Sequence, residues 1–179
     1  MSKKVLILSA SPRRRGNSDL LCDEFLKGAK EAGHQAEKIF LDDKDINFCN
    51  GCGLCFNNKG TCSQKDDMGE ILQKMIEADV IAMATPVYFY TMNAQMKVLI
   101  DRTCAAYTTI KNKDFYFIAT AADGNKNCAE RTIEGFRAFM DCLEGANEKN
   151  ILSAIGVWNI GDVKNTHYMK EAYELGKHV

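Results

Sequence analysis

The sequence predicts a doubly wound α/β sandwich, a five-stranded parallel sheet with helices on both faces, and three observations predict it. Runs that are apolar at every position, such as Val5 to Ser9, read as strands buried on both sides of a sheet. Segments with apolar residues at helical spacing separate them, so strand and helix alternate five times along 179 residues. No repeat, low-complexity stretch or linker divides the chain, and 46% hydrophobic residues supply one core, so residues 1–179 are expected to form a single domain.

Val5 to Ser9 is the first strand. The helix after it is capped by Asn17, buries Leu20, Leu21, Phe25, Leu26 and Ala29, and stops at Gly33. Gln35 to Leu41 reads as the second strand. Asp42 to Lys65 has few periodic apolar positions and is rich in Asp, Asn, Gly and Cys, the composition of a long functional loop. Asp66 and Asp67 place negative charge at a helix start, and Met68, Ile71, Leu72, Met75 and Ile76 make that helix's buried face. Val80 to Thr85 is the third strand, followed by Pro86 to Tyr90 and a helix from about Asn93 to Thr103. Phe115 to Thr120, Glu130 to Leu143, Ile151 to Val157 and Tyr168 to His178 complete the alternation.

In such a fold a ligand sits beyond the carboxyl ends of the strands, where strand order reverses, which directs attention to the segments after strands one, three and four. A formal net charge of -1 argues against a surface for nucleic acid, which needs a clustered excess of Lys and Arg. The N-terminal apolar run is too short for a signal peptide and nothing later approaches a membrane span, so a cytoplasmic location is expected. In that reducing compartment eight cysteines suggest metal or redox use rather than disulfides.

The first loop, Ser9-Ala-Ser11-Pro-Arg13-Arg14-Arg15-Gly-Asn17-Ser18, brings hydroxyls, an amide, arginines and free backbone N–H groups to a helix N-terminus without a carboxylate of its own. That suits a phosphate. The glycine patterns of dinucleotide and triphosphate sites are missing, so a monophosphate fits better; an ordinary polar loop with a helix cap is the alternative. A receiver domain, which shares the fold, needs acidic residues here to hold magnesium, and this chain offers serines and arginines. Thr85-Pro86-Val87-Tyr88-Phe89-Tyr90 sets three rings beside a stiff proline, apt for a flat isoalloxazine, though aromatic triplets also fill cores. The loop Thr120-Ala-Ala-Asp-Gly124-Asn125 is small and flexible enough to close over such a ring's other edge.

These motifs, together with Met92-Asn-Ala-Gln-Met-Lys97 running to Ile100-Asp-Arg102, resemble the NADPH-dependent FMN reductase family of flavodoxin-like proteins, and within it the iron-sulfur flavoprotein branch. The resemblance covers essentially the whole chain. It implies strand order 2-1-3-4-5, FMN phosphate held by Ser9, Ser11, Arg13, Asn17 and Ser18, and the flavin ring held by Pro86, Val87, Tyr88 and Phe89. It also suggests a homodimer or higher oligomer whose neighbouring subunit helps cover the flavin.

Cys49, Cys52, Cys55 and Cys62 have the spacing C-x2-C-x2-C-x6-C, for which a four-iron four-sulfur (4Fe-4S) cluster is the natural occupant; zinc fits less well, and reactive or structural thiols are the alternative. Cys22, Cys104, Cys128 and Cys142 fall on expected helices or a helix approach, and most of them read as small buried hydrophobes. His34, His167 and His178 are scattered, and no catalytic acid or base is called for, because FMN supplies the chemistry. The expected activity is electron transfer from NAD(P)H to a flavin, quinone or similar small acceptor. The alternative is a relay of single electrons between protein partners through FMN and cluster.

Overall fold

The computed structural model describes all 179 residues. Five strands form the sheet: β1 (Lys4–Ser9), β2 (Gln35–Phe40), β3 (Val80–Tyr88), β5 (Asp114–Thr120) and β6 (Asn147–Ala154). Their order is β2-β1-β3-β5-β6, all neighbours parallel, so the chain reverses direction across the sheet between β1 and β3. This is the expected order 2-1-3-4-5. A two-residue strand, β4 (Thr91–Met92), pairs antiparallel with the end of β3 and turns it into a hairpin.

The helices are α1 (Asn17–Glu31), α2 (Leu54–Asn57), α3 (Met68–Glu77), α4 (Ala94–Arg102), α5 (Glu130–Met140) and α6 (Tyr168–Lys177). Period-two alternation sorts each strand between two cores. Leu6, Leu8, Ile81, Met83, Phe115 and Phe117 pack with residues of α3, α4 and α5 on one face, where Phe117 stacks on Phe136 at 4.7 Å. Val5, Ile7, Val80, Ala82, Tyr116 and Ile118 pack with α1 and α6 on the other. There the helices touch backbone to backbone. A Cβ added at Gly28 would lie 2.1 Å from the Tyr173 carbonyl oxygen, and one at Gly176 would lie 2.0 Å from that of Phe25.

Several boundaries differ from the sequence reading. β3 runs on through Pro86 to Tyr88, because a parallel neighbour on one side and the β4 hairpin leave no donor for proline to miss. β6 begins at Asn147 rather than Ile151 and ends at Ala154. Its first four residues are exposed and polar, as an edge strand allows, and the chain turns off the sheet at Gly156, whose φ is +73°. Asp42 to Lys65 is irregular as expected, apart from a short 3-10 turn at Leu41–Asp43 and the single turn of α2. No helix is long and apolar enough to cross a membrane.

Candidate functional site

Loops beyond the carboxyl ends of β1, β3, β5 and β6 enclose a cavity of about 410 Å3. Its floor is the start of α1. The backbone N–H groups of Asn17, Ser18 and Asp19 make no hydrogen bond within the chain and sit at the positive end of a fifteen-residue helix. Ser11, Arg13, Gly16, Asn17 and Ser18 line the cavity beside them. A carboxylate is nevertheless close by, contrary to the sequence reading. Asp19 turns beneath the loop, accepts hydrogen bonds from Ser9 Oγ at 3.1 Å and the Arg15 N–H at 2.9 Å, and is paired with Lys38 at 2.7 Å. Its charge is spent on the loop's shape. Burial pulls Lys38 down, yet its bonds to Asp19 and Asp23 outweigh that and hold it above its ordinary value.

Two expected phosphate ligands take other places. Ser9 is fully buried under the loop, outside the cavity wall, and its bond to Asp19 explains it. Asn17 is the first helical residue and Gly16 holds the cap position. The Asn17 side chain instead ties the loop after β6: its Oδ1 accepts from the N–H groups of Gly161 at 3.1 Å and Val163 at 3.2 Å, and its Nδ2 donates to the Asn159 carbonyl at 2.9 Å. Ser11 brackets Arg13, donating to its carbonyl at 2.8 Å and accepting its N–H at 3.1 Å. Of the arginines, Arg13 faces the cavity, whereas Arg14 pairs with Asp43 and covers the Phe40 ring. The free donors for an anion are thus the helix N–H groups, the Ser18 hydroxyl and Arg13.

Pro86, Val87, Tyr88 and Phe89 form a second wall, and their rings are not core residues: Phe89 is 99% exposed. The hairpin joining β3 to β4 has a two-residue turn, Phe89-Tyr90, with φ of +50° and +66°. Both turn positions favour Gly or Asn, so two bulky residues there store strain at the cavity lip. Thr85 and Asn93 brace the wall from below. Thr85 Oγ1 accepts the Asn93 N–H at 3.1 Å, Asn93 Oδ1 caps α4 through the Met96 N–H at 3.3 Å, and Asn93 Nδ2 reaches back to the Ala10 carbonyl of the first loop.

Thr120 at the end of β5 and Ala122 in the loop after it contribute, whereas Gly124 does not line the cavity. The remaining wall was missed from sequence: Val157, Trp158 and Ile160, in the loop after β6. Asp162 holds that loop by accepting the N–H groups of Trp158 at 2.9 Å and Asn159 at 2.6 Å. The chain's one tryptophan, followed by Asn-Ile-Gly-Asp directly after the last strand, is the signal that could have found it.

Cys49, Cys52, Cys55 and Cys62 line a separate hollow of about 90 Å3, together with Arg102 and Cys104. No three side chains there converge as they do round one metal ion. The four cysteines of the motif are an all-sulfur donor set, the ligand type an iron-sulfur cluster takes. Cys104 is therefore not the simple hydrophobe expected, and Cys142 is exposed; Cys22 and Cys128 are buried, with the Cys22 thiol pushed up to about 12 by burial. The loop's ends are pinned by Arg102, whose buried ion pair with Asp66 holds that carboxyl well below the usual carboxylate range.

Among solved structures the fold is similar to an NAD(P)H:quinone oxidoreductase from Methanothermobacter marburgensis, with a TM-score of 0.76 at 19% identity over 99% of this chain and 96% of that one. At that identity the likeness concerns the fold alone. An iron-sulfur flavoprotein of Methanocaldococcus jannaschii is 47% identical over 100 residues, 56% of this chain and 51% of that protein. One from Methanosarcina thermophila is 32% identical over 143 residues, 76% of this chain and 72% of that protein. The chain spans 44 to 51% of the length of three such archaeal proteins that it matches at 41 to 47% identity. Residues 3–152 match the family described as NADPH-dependent FMN reductase, so the chain belongs to that family, on the branch of the iron-sulfur flavoproteins.

Proposed function

We propose that this chain works as one unit that binds FMN over the ends of β1, β3 and β5 and passes electrons from NAD(P)H to a flavin, quinone or similar small acceptor. One observation carries the reading: unbonded donors of a helix N-terminus and an exposed aromatic wall share a cavity of about 410 Å3. FMN, when bound, accepts hydride and releases electrons singly or in pairs. The chain's part is to hold and orient it. The α1 N–H groups, Ser18 and Arg13 take the phosphate; Ser11 and Asn17 keep the first loop and the loop after β6 in shape around it. Pro86 to Phe89, Thr120, Ala122 and Trp158 flank the ring, and Gly124 leaves the loop after β5 without a side chain at that one position.

A location in a reducing compartment such as the cytoplasm agrees with eight unpaired cysteines. Tyr88, Phe89, Tyr90, Trp158 and Ile160 are all exposed round the cavity, which favours a homodimer or higher oligomer in which a neighbouring subunit covers the flavin. The test is a flavin-quenching titration followed by oxidation of NADH and NADPH with a panel of acceptors. A protein that does not bind FMN, or binds it and oxidises neither nucleotide, refutes the enzyme.

The relay reading has its own support. Five thiols line one hollow, and α4 runs from that hollow to Asn93, which braces the cavity wall from below. In this reading Cys49, Cys52, Cys55 and Cys62 hold a 4Fe-4S cluster, which exchanges single electrons between FMN and a protein partner. Iron and sulfide analysis of anaerobically purified protein decides whether the cluster is there.

A further inference from the structure

Arg102, the last residue of α4, has 1% of its side chain exposed, and so does Asp66 opposite. Its Nη1 donates to Asp66 Oδ2 at 2.6 Å and to the Asn47 carbonyl at 2.6 Å. Its Nη2 donates to Asp66 Oδ1 at 2.9 Å and to Cys62 Sγ at 3.6 Å. Asp66 in turn accepts the N–H groups of Asn47 at 3.0 Å and Met68 at 3.2 Å, and Asp45 and Asp67 exchange two further bonds across the same junction. One guanidinium therefore meets the cysteine loop where it enters, where it leaves and at its fourth cysteine.

Closing a loop does not require this chemistry. Taking two charges out of water offsets most of their attraction, so an apolar pair of similar volume closes a junction equally well. What an apolar pair cannot do is donate to a thiolate. The guanidinium is turned so that its fork serves Asp66, Asn47 and Cys62, while its Nε, fully buried, has no partner. The orientation favours the loop and its sulfur over the arginine's own hydrogen bonds.

We propose that Arg102 is the positioning residue of the cysteine loop: it clamps both loop ends to α4 and compensates the charge of the Cys62 thiolate, so a metal group held by these cysteines takes its seat and its reduction potential from Arg102. The potential part rests on the 4Fe-4S reading; the clamp does not. Lysine keeps the charge of arginine without the fork, and methionine keeps the length without the charge. A hydrogen bond and a positive charge at a cluster sulfur raise its potential, so their loss lowers it.

The test uses Arg102→Lys, Arg102→Met and the parent in two preparations. In metal-free protein, cadmium ion is titrated through its thiolate absorption. Arg102→Met should bind it about 10- to 100-fold more weakly than the parent, as removal of a partner of metal ligands commonly does, with Arg102→Lys between and FMN affinity unchanged in all three. In protein reconstituted anaerobically with iron and sulfide, the cluster of Arg102→Lys should titrate at a more negative potential while the FMN couple stays as internal reference. Should Arg102→Met fail to fold, Asp66→Asn, which leaves the fork on Cys62 and Asn47, is expected to bind cadmium more tightly than Arg102→Lys, and the reverse order overturns the proposal. Parent-like cadmium affinity in Arg102→Met, or a parent-like cluster potential in Arg102→Lys, overturns the proposal. A parent that takes up no iron refutes the cluster reading instead, and the cadmium titration then decides the clamp alone.

Discussion

The two candidate sites are built in opposite ways. The flavin cavity is walled by the ends of regular elements, and its braces are buried and bonded inside the fold: Ser9 to Asp19, Thr85 to Asn93, Asn93 to the Ala10 carbonyl. The cysteine hollow is walled by a loop whose only regular element is the four-residue α2, with Cys49 and Cys52 exposed and Phe48 and Phe56 exposed beside them. Its buried ion pair lies at the base, where Arg102 meets Asp66. A cavity of the first kind has its geometry before any ligand arrives, whereas a loop of the second kind has fixed ends and depends on a bound group to fix its middle.

The largest expected effect comes from breaking that base. Asp66→Ala leaves the Arg102 charge buried and unpaired, which should cost about 3 to 5 kcal/mol in a urea unfolding series. An unchanged midpoint would mean that the loop is held by something other than the pair. The same carboxyl predicts a pH dependence. Unfolded, it protonates near pH ~4; folded, its pKa is depressed by Arg102, so its contribution is fully present above that pH and lost as the pH falls toward the folded value. Asp66→Asn should flatten the acid limb of the stability curve and leave its slope near neutrality alone.

Next in size is Asn93→Ala on the cavity side. The variant loses the α4 cap and leaves the buried Ala10 carbonyl without its amide donor, for about 1 to 3 kcal/mol, while Thr85 keeps the backbone N–H of residue 93 and the Pro86 carbonyl. FMN affinity should fall with it, because the same side chain joins the first loop to the β3 wall. A destabilised variant with full FMN affinity would show that the two walls are set independently.

How far the sequence led depends on which neighbours a residue has. Val5 to Ser9 and Phe115 to Thr120 were readable because a strand covered on both faces must be apolar throughout. The start of β6 was not, since an edge strand with one solvent side can open on Asn-Glu-Lys-Asn. In the site, the cavity's location and most of its lining followed from the first loop and the Pro86 to Phe89 segment. Asn17 lines the cavity, but the bonds of its side chain to Gly161 and Val163 could not be read from sequence, because those partners lie far along the chain. The Arg102–Asp66 pair was hidden for the same reason: each residue had a local explanation, as part of a motif or as helix-start charge.

A smaller effect tests the strained lip. Tyr90→Gly relieves a positive φ at a residue that is 54% exposed, and should stabilise by up to about 1 kcal/mol in thermal unfolding. If acceptor KM rises while FMN affinity holds, the ring serves the acceptor and the strain is retained for function. A loss of stability would show that Tyr90 packs against something that outweighs its backbone.

The smallest effect on stability is expected where the effect on metal is greatest. Cys52 is exposed and its thiol meets Ser63 Oγ at 3.9 Å, so Cys52→Ser in metal-free protein should change unfolding free energy by less than about 0.5 kcal/mol. Cys49→Ser should behave alike. Cys62→Ser should differ a little, because it alone takes the Arg102 N–H, and serine at that distance accepts it poorly. If four thiols share one cluster, however, each variant should lose iron and sulfide together while keeping FMN, since a 4Fe-4S centre lacking any ligand degrades. Small, unequal effects on folding alongside equal, complete losses of iron would separate a loop completed by its ligand from a cavity completed by its fold. Iron retained in the Cys52→Ser protein would instead assign a fourth sulfur elsewhere in the hollow, and Cys104 is the thiol already standing there.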